Sequence, residues 1–163
     1  MHWAPFHVRL LGAMSSLVQR HGLALAGTHA LWAHGLPALA PPAGIGLVTV
    51  LETPLADVGG ELVRALLAEG LRASIVEASP RACRLTAEDV TTGERCEITL
   101  ARETLREPPV TREGHPAKVV TLSDLAGMRT RDLHERGLPA DVKDTAALAG
   151  TFSFRELEQL AAA

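Results

Sequence analysis

Leu23-Ala24-Leu25-Ala26-Gly27-Thr28-His29-Ala30-Leu31 changes character halfway along. Its first four residues are an uninterrupted apolar run, which predicts a short buried strand. Gly27-Thr28 breaks the run, and Thr28 carries the short hydroxyl of a helix N-cap. The helix that follows is expected to reach about His34, where Gly35 closes it. Upstream, Leu10, Leu11, Met14, Leu17 and Val18 recur at helical spacing, and Gly22 is a natural stop, so a first helix is predicted over about 5–21. Downstream, Pro37 to Gly44 holds three prolines and reads as a loop.

The β-branched, apolar run Ile45 to Leu51 is a central strand by composition. Pro54 opens a helix through Leu62, Leu66 and Leu67 that ends at Gly70, and Leu71 to Glu77 reads as the next strand. A hairpin follows, Arg81 to Glu88 and Glu94 to Leu100, joined by Val90-Thr91-Thr92-Gly93. In its second arm Cys96, Ile98 and Leu100 share one face, and Glu97 and Thr99 the other. The turn length places Asp89 opposite Glu94, Cys83 opposite Leu100 and Cys96 opposite Ala87. The two sulfurs are then out of register for a disulfide, and two reduced, buried thiols are expected.

Residues 106–120 are rich in Pro, Thr and charge and read as irregular. Leu122 to Arg136 is helical with Ser123 as its N-cap. Short helices follow near 140–149 and 153–162, the latter opened by Ser153 with Glu156 at capping-box spacing. The order predicts one α/β (α+β) domain over 1–163, a mixed central sheet flanked by helices.

Apolar residues make up 47% and charged residues 21%, an ordinary globular balance. With a formal net charge of −3 and no Lys/Arg-rich run, nucleic acid is not the expected partner. Of 16 basic residues only Lys118 and Lys143 are lysine, as GC-rich coding would give. Apolar stretches break well before the ~20 residues that span a bilayer, and the N-terminus lacks a signal-peptide pattern. A cytoplasmic protein with no membrane association is expected.

Several of these segments together resemble the AbiEii/AbiGii-type nucleotidyltransferases. The run Leu25 to Leu31, then His34-Gly35-Leu36, is similar to that family's opening, where a Gly-Gly or Gly-Ser pair holds a triphosphate; Gly27-Thr28 fits that role. The family's Asp-x-Asp strand corresponds to Gly44-Ile45-Gly46-Leu47-Val48-Thr49. A third family carboxylate lies in a run resembling Cys96-Glu97-Ile98-Thr99-Leu100, with Thr99 at the Asp position. Leu122 to Arg129 resembles the helix that carries a family Lys, here Arg129. Leu133 to Leu138 with Asp141 and Asp144 resembles an Arg…Asp…Asp pattern, and Phe152 to Leu157 the terminal helix. The likeness spans about residues 8–162 and implies a nucleotidyltransferase fold.

It also implies a loss. Two carboxylates at i and i+2 on a strand point the same way, and a third from the next strand completes a cage for Mg²⁺. Nucleotidyl transfer needs those ions. Gly44, Gly46 and Thr99 supply no charge, and residues 37–51 contain no Asp or Glu. Removing one preorganised electrostatic group commonly costs ~3–4 kcal/mol, so removing the whole ligand set abolishes the reaction. Glu97 shares the face of Thr99, and Glu52 and Glu77 lie near strand ends, but a displaced Glu does not rebuild a two-metal site.

Two function classes survive. In one, the pocket is reused without metal or cofactor for a small-molecule ligand: Glu97, His29 and His134 act as acid/base groups, and Gly27, Thr28, Gly44, Gly46, Thr99 and Arg129 line the site. Arg129 is then an anion clamp, in a pocket made more positive and more apolar by the missing acids, with Glu97 partly shielded from water. In the other, the domain is a non-catalytic interaction module for a protein partner. His29 fits either acid/base chemistry or packing. His34, at a helix end, reads as structural, as does an ion pair of Arg136 with Asp141 or Asp144. The seven histidines form no HExxH or comparable metal spacing.

Overall fold

The computed structural model describes residues 3–36 and 41–162. Six helices and five strands follow in the order α1 (Pro5–Arg20), β1 (Ala24–Ala26), α2 (Gly27–Ala33), β2 (Gly44–Thr49), α3 (Leu55–Ala68), β3 (Arg72–Ala78), β4 (Ala82–Glu88), β5 (Arg95–Arg102), α4 (Leu122–Glu135), α5 (Pro139–Leu148) and α6 (Phe154–Ala161). The sheet order is β1-β2-β5-β4-β3. Only β2 and β5 run parallel; every other neighbouring pair is antiparallel. This is the mixed sheet expected, with β2 lying between β1 and β5.

Helix α1 forms because Phe6, Leu10, Leu11, Met14 and Val18 fall on one stripe, and all are buried. Gly22 ends it with φ +58°, a conformation that costs a residue with a side chain far more. Leu55, Val58, Leu62 and Leu66 form the corresponding stripe of α3, which packs on β3, β4 and β5. In β5, Cys96, Ile98 and Leu100 are buried while Arg95 and Glu97 are exposed, so the alternation seen in the sequence is the one adopted. Cys83 pairs with Leu100 and Cys96 with Ala87, and both thiols are free and buried, as their register predicted.

The boundaries differ in instructive places. Thr28 does not cap α2: Ala26 is the cap residue, and the Thr28 hydroxyl donates instead to Asp144 Oδ2 at 3.2 Å. Helix α4 is capped by Thr121, not Ser123; the Thr121 hydroxyl accepts from the Asp124 amide. Ser153 and Glu156 do form the expected capping box. Of the predicted proline loop, residues 37–40 lie outside the described residues, and 41–43 have no helix or strand. The segment 106–120 is irregular but anchored. Asp124 accepts from the backbone N–H groups of Arg106 and Glu107. Residues 118–120 lie along the free edge of β1, with Leu25 N–H donating to Lys118 O and Val120 N–H to Leu25 O. Among the described residues no helix is long and apolar enough to cross a membrane.

Candidate functional site

The parallel pairing of β2 with β5 fixes the floor of the site. Gly44 lies opposite Glu97, Ile45 opposite Ile98 and Gly46 opposite Thr99. Register partners on parallel strands project to the same face, so positions 44, 46, 97 and 99 share one side of the sheet, and buried Ile45 and Ile98 share the other. Gly46 also pairs with Ala26, the residue before the Gly27 turn. A side chain built at Gly46 would start 3.7 Å from the Ala26 carbonyl and 3.9 Å from the Gly27 nitrogen, which is ordinary contact. The sequence therefore brings Gly27, Gly46 and Thr99 together. Gly27 itself has φ +67°.

Gly44 is different. A Cβ there would lie 2.5 Å from the Glu97 carbonyl oxygen, a backbone atom of the neighbouring strand. No side chain fits unless the two strands separate.

The acid/base candidates are not gathered on this floor. Glu97 sits with about half of its side chain exposed, its carboxylate 3.9 Å from Arg84 Nε, rather than in the partly apolar setting expected of it. His134 is an exposed residue near the end of α4, and its Nε2 lies 2.8 Å from Glu158 on α6. His29 is 1% exposed and stacks face to face on Trp3, with centroids 3.7 Å apart and planes 6° from parallel. Its Nε2 shares a hydrogen bond with His7 Nδ1 at 3.0 Å, while its Nδ1 is buried without a partner. Burial, reinforced by His7 and His115, pushes the His29 pKa down to about 3. It is a neutral, packed imidazole at physiological pH. His34 is structural as expected, its Nε2 donating to Val120 O at 2.7 Å.

Arg129 does not stand ready for an anion. Its guanidinium lies 2.8 Å from Asp132, 3.1 Å from Asp144 and 3.8 Å from Asp141. Its Nε is buried without a partner among the described residues. Arg136 completes the corner at 2.5 Å from Asp141, the ion pair foreseen between the last helices. Asp141, fully buried, also accepts from the Leu138 amide at its other oxygen. Three carboxylates thus face two guanidinium groups, and the more positive pocket expected beside Thr28 is not what surrounds it. Burial raises the pKa of Asp144, against Arg129 and the Thr28 hydroxyl, which lower it. The same balance of burial against Arg129 and Arg136 raises that of Asp132.

Two features escaped the sequence reading. The Thr28–Asp144–Arg129 link joins residues more than a hundred positions apart, and no local spacing signals it. The Trp3–His29–His7 stack had none, since Trp3 precedes the first helix. Among the described residues no group of three or more His, Cys, Asp or Glu is arranged to hold a metal ion.

No protein-family model and no curated protein matches the sequence. Solved structures do match. A proposed nucleotidyltransferase from H. pylori superposes with TM-score 0.63 at 14% identity, over 96% of this chain and 72% of that one. The solution structure of the antibiotic-resistance factor ANT(2'')-Ia matches with TM-score 0.62 at 15% identity, over 96% and 90%. Its crystal structure in complex with adenylyl-2''-tobramycin matches with TM-score 0.60 at 15% identity, over 96% and 95%. At such identities the likeness shows the fold, and the fold is that of a nucleotidyltransferase.

Proposed function

We propose that the chain is a nucleotidyltransferase-fold protein of the AbiEii/AbiGii type that has lost metal-dependent nucleotidyl transfer and retains a small-molecule site at Gly27, Thr28, Gly46 and Thr99. One observation carries the reading. The two strand positions that lie side by side at the Gly27 turn, 46 and 99, hold a glycine and a threonine, and the third, Gly44, is packed too tightly for any side chain. A divalent cation asks for several oxygen ligands of negative charge. The residues on this floor do not fit one, and no step of a mechanism passes through it.

What the remaining groups offer is recognition more than proton transfer. Glu97, His29 and His134 each have other partners, so a concerted acid/base pair at one substrate atom is not assembled. The Thr28 hydroxyl, its proton given to Asp144, remains as an acceptor, and the Gly27 backbone remains beside it; the acidic corner behind Thr28 favours a neutral polar ligand over an organic acid. A second reading, a non-catalytic interaction module, draws on Leu138, Val142 and Phe154, large apolar side chains left exposed in the C-terminal helices and their junction.

Calorimetry with ATP and GTP, each with and without Mg²⁺, tests the loss, followed by an assay for labelled nucleotide on RNA, protein or the chain itself. Binding that is no tighter with Mg²⁺ and no incorporated label is expected. Submicromolar, Mg²⁺-dependent binding or incorporated label overturns the proposal. Association with a partner that Phe154→Ser abolishes, with no ligand at the Gly27 turn, would favour the second reading.

A further inference from the structure

Beyond the edge of β1 that faces away from β2, α1 and the segment 109–118 border a partly open cleft of about 520 Å³. None of its lining residues belongs to the Gly27–Gly46–Thr99 group. Its volume falls within the roughly 300–1,000 Å³ of small-molecule sites. Leu11, Val18 and Leu23, all buried, give it an apolar floor. Its polar lining residues are Ser15, Gln19, Thr111, His115 and Lys118. Lys118 is the one lining residue with a fixed charge, and no Asp or Glu lines the space.

His115 adds a donor. Its Nδ1 accepts from Trp3 Nε1 at 3.1 Å, so in the neutral ring the proton sits on Nε2. Burial, aided by Arg112 and His34, lowers its pKa and keeps the ring neutral. Ser15, an exposed residue of α1, stands at the wall.

We propose that this cleft binds a small organic monoanion with an apolar body, its acid group against Lys118 and its body on Leu11, Val18 and Leu23. Charge complementarity selects the occupant: an acid gains Lys118 and meets no opposing carboxylate, whereas a cation gains nothing. A chain of contacts also leads from this site towards the Gly27 turn. His115 holds Trp3, Trp3 stacks on His29, and His29 is the neighbour of Thr28. The two tryptophans of the chain, Trp3 and Trp32, both lie against His29, so an occupant that shifts His115 is reported by their emission.

The test titrates the full chain with anilinonaphthalene sulfonate and with its neutral counterpart phenylnaphthylamine, in the parent and in Lys118→Ala, Ser15→Phe and Phe154→Ser. Lys118→Ala is expected to weaken the sulfonate about fivefold, as a partly solvated ion pair would, and to leave the neutral dye within about twofold. Ser15→Phe should weaken both dyes about tenfold by filling the space. Phe154→Ser, which removes the most exposed apolar side chain, should change neither. Thermal melts confirm that each variant folds; if Ser15→Phe does not, exposed Lys118 still decides. Equal sulfonate affinity in the parent and Lys118→Ala, or loss of dye binding in Phe154→Ser, overturns the proposal.

Discussion

The β2–β5 floor and the corner formed by α4 and α5 make opposite use of charge. On the floor, Gly44, Gly46 and Thr99 present backbone and one hydroxyl where two adjacent strands meet. At the corner, Asp132, Asp141 and Asp144 surround Arg129 and Arg136, and Asp141 is wholly buried. Thr28 touches the corner, and Gly27 beside it touches the floor, so the two regions are next-door neighbours. The lesson concerns what holds buried charge in place. Acids that bond to arginines and to a helix amide are tied to the stability of the fold. An acid whose only business is a metal has no such tie, and a fold without it survives.

The comparison breaks first at Asp141. Its removal takes the Asp141 acceptor from Arg136 and from the Leu138 amide, while Arg129 keeps Asp132 and Asp144. With two charge-assisted hydrogen bonds lost at ~1.5–3 kcal/mol each, Asp141→Ala is expected to cost about 3–5 kcal/mol in chemical denaturation. A loss below about 1 kcal/mol would mean that the corner is as dispensable as the floor.

The floor is sharpened by its two glycines. Gly44→Ala drives a Cβ into the Glu97 carbonyl and should cost about 2–3 kcal/mol. Gly46→Ala meets only ordinary contacts and should stay within about 1 kcal/mol of the parent. Equal losses would show that strand strain, not local crowding, sets both.

His29 lies at the joint between the regions, and pH reads it. Its folded pKa of about 3 is below the unfolded 6.5, so the unfolded chain takes up the proton first. Stability is present above 6.5 and falls as the pH drops from there towards 3, by up to ~1.4 kcal/mol per unit. His7, also lowered, acts in the same direction, while Asp132 and Asp144, raised, act in the opposite one. His29→Phe keeps a ring against Trp3 and should flatten the decline between pH 6.5 and 5, seen as thermal midpoints that converge with the parent's. An unchanged slope would assign the decline to other groups.

The fold was legible because it rests on order and period. The apolar run into Gly27, the alternation of Cys96, Ile98 and Leu100, and the four-residue turn fix which strands meet and in which register. The floor was legible for the same reason, since Gly46 and Thr99 are both strand residues. The corner was legible only in part. The partners of Arg136 could be named from nearby acids, but Arg129 finds Asp144 through the angle between α4 and α5, which no local spacing encodes. Thr28 looked like a cap because hydroxyls cap helices, and a tertiary acceptor outbid the local amide. The three acid/base candidates were chosen by residue type, and type does not say that His29 would lie under Trp3 or that Glu97 would face water beside Arg84.

The contact between position 44 and the Glu97 carbonyl gives the molecule a direction in time. A lineage carrying this chain could acquire an acid at 46 by substitution alone, since there is room. It could not do so at 44, because the strands must part before the side chain arrives, and nothing rewards them for parting while glycine is there. The gap therefore acts as a gate on substitution: position 46 is open to a side chain by a single change, and position 44 stays closed to one until its neighbours move.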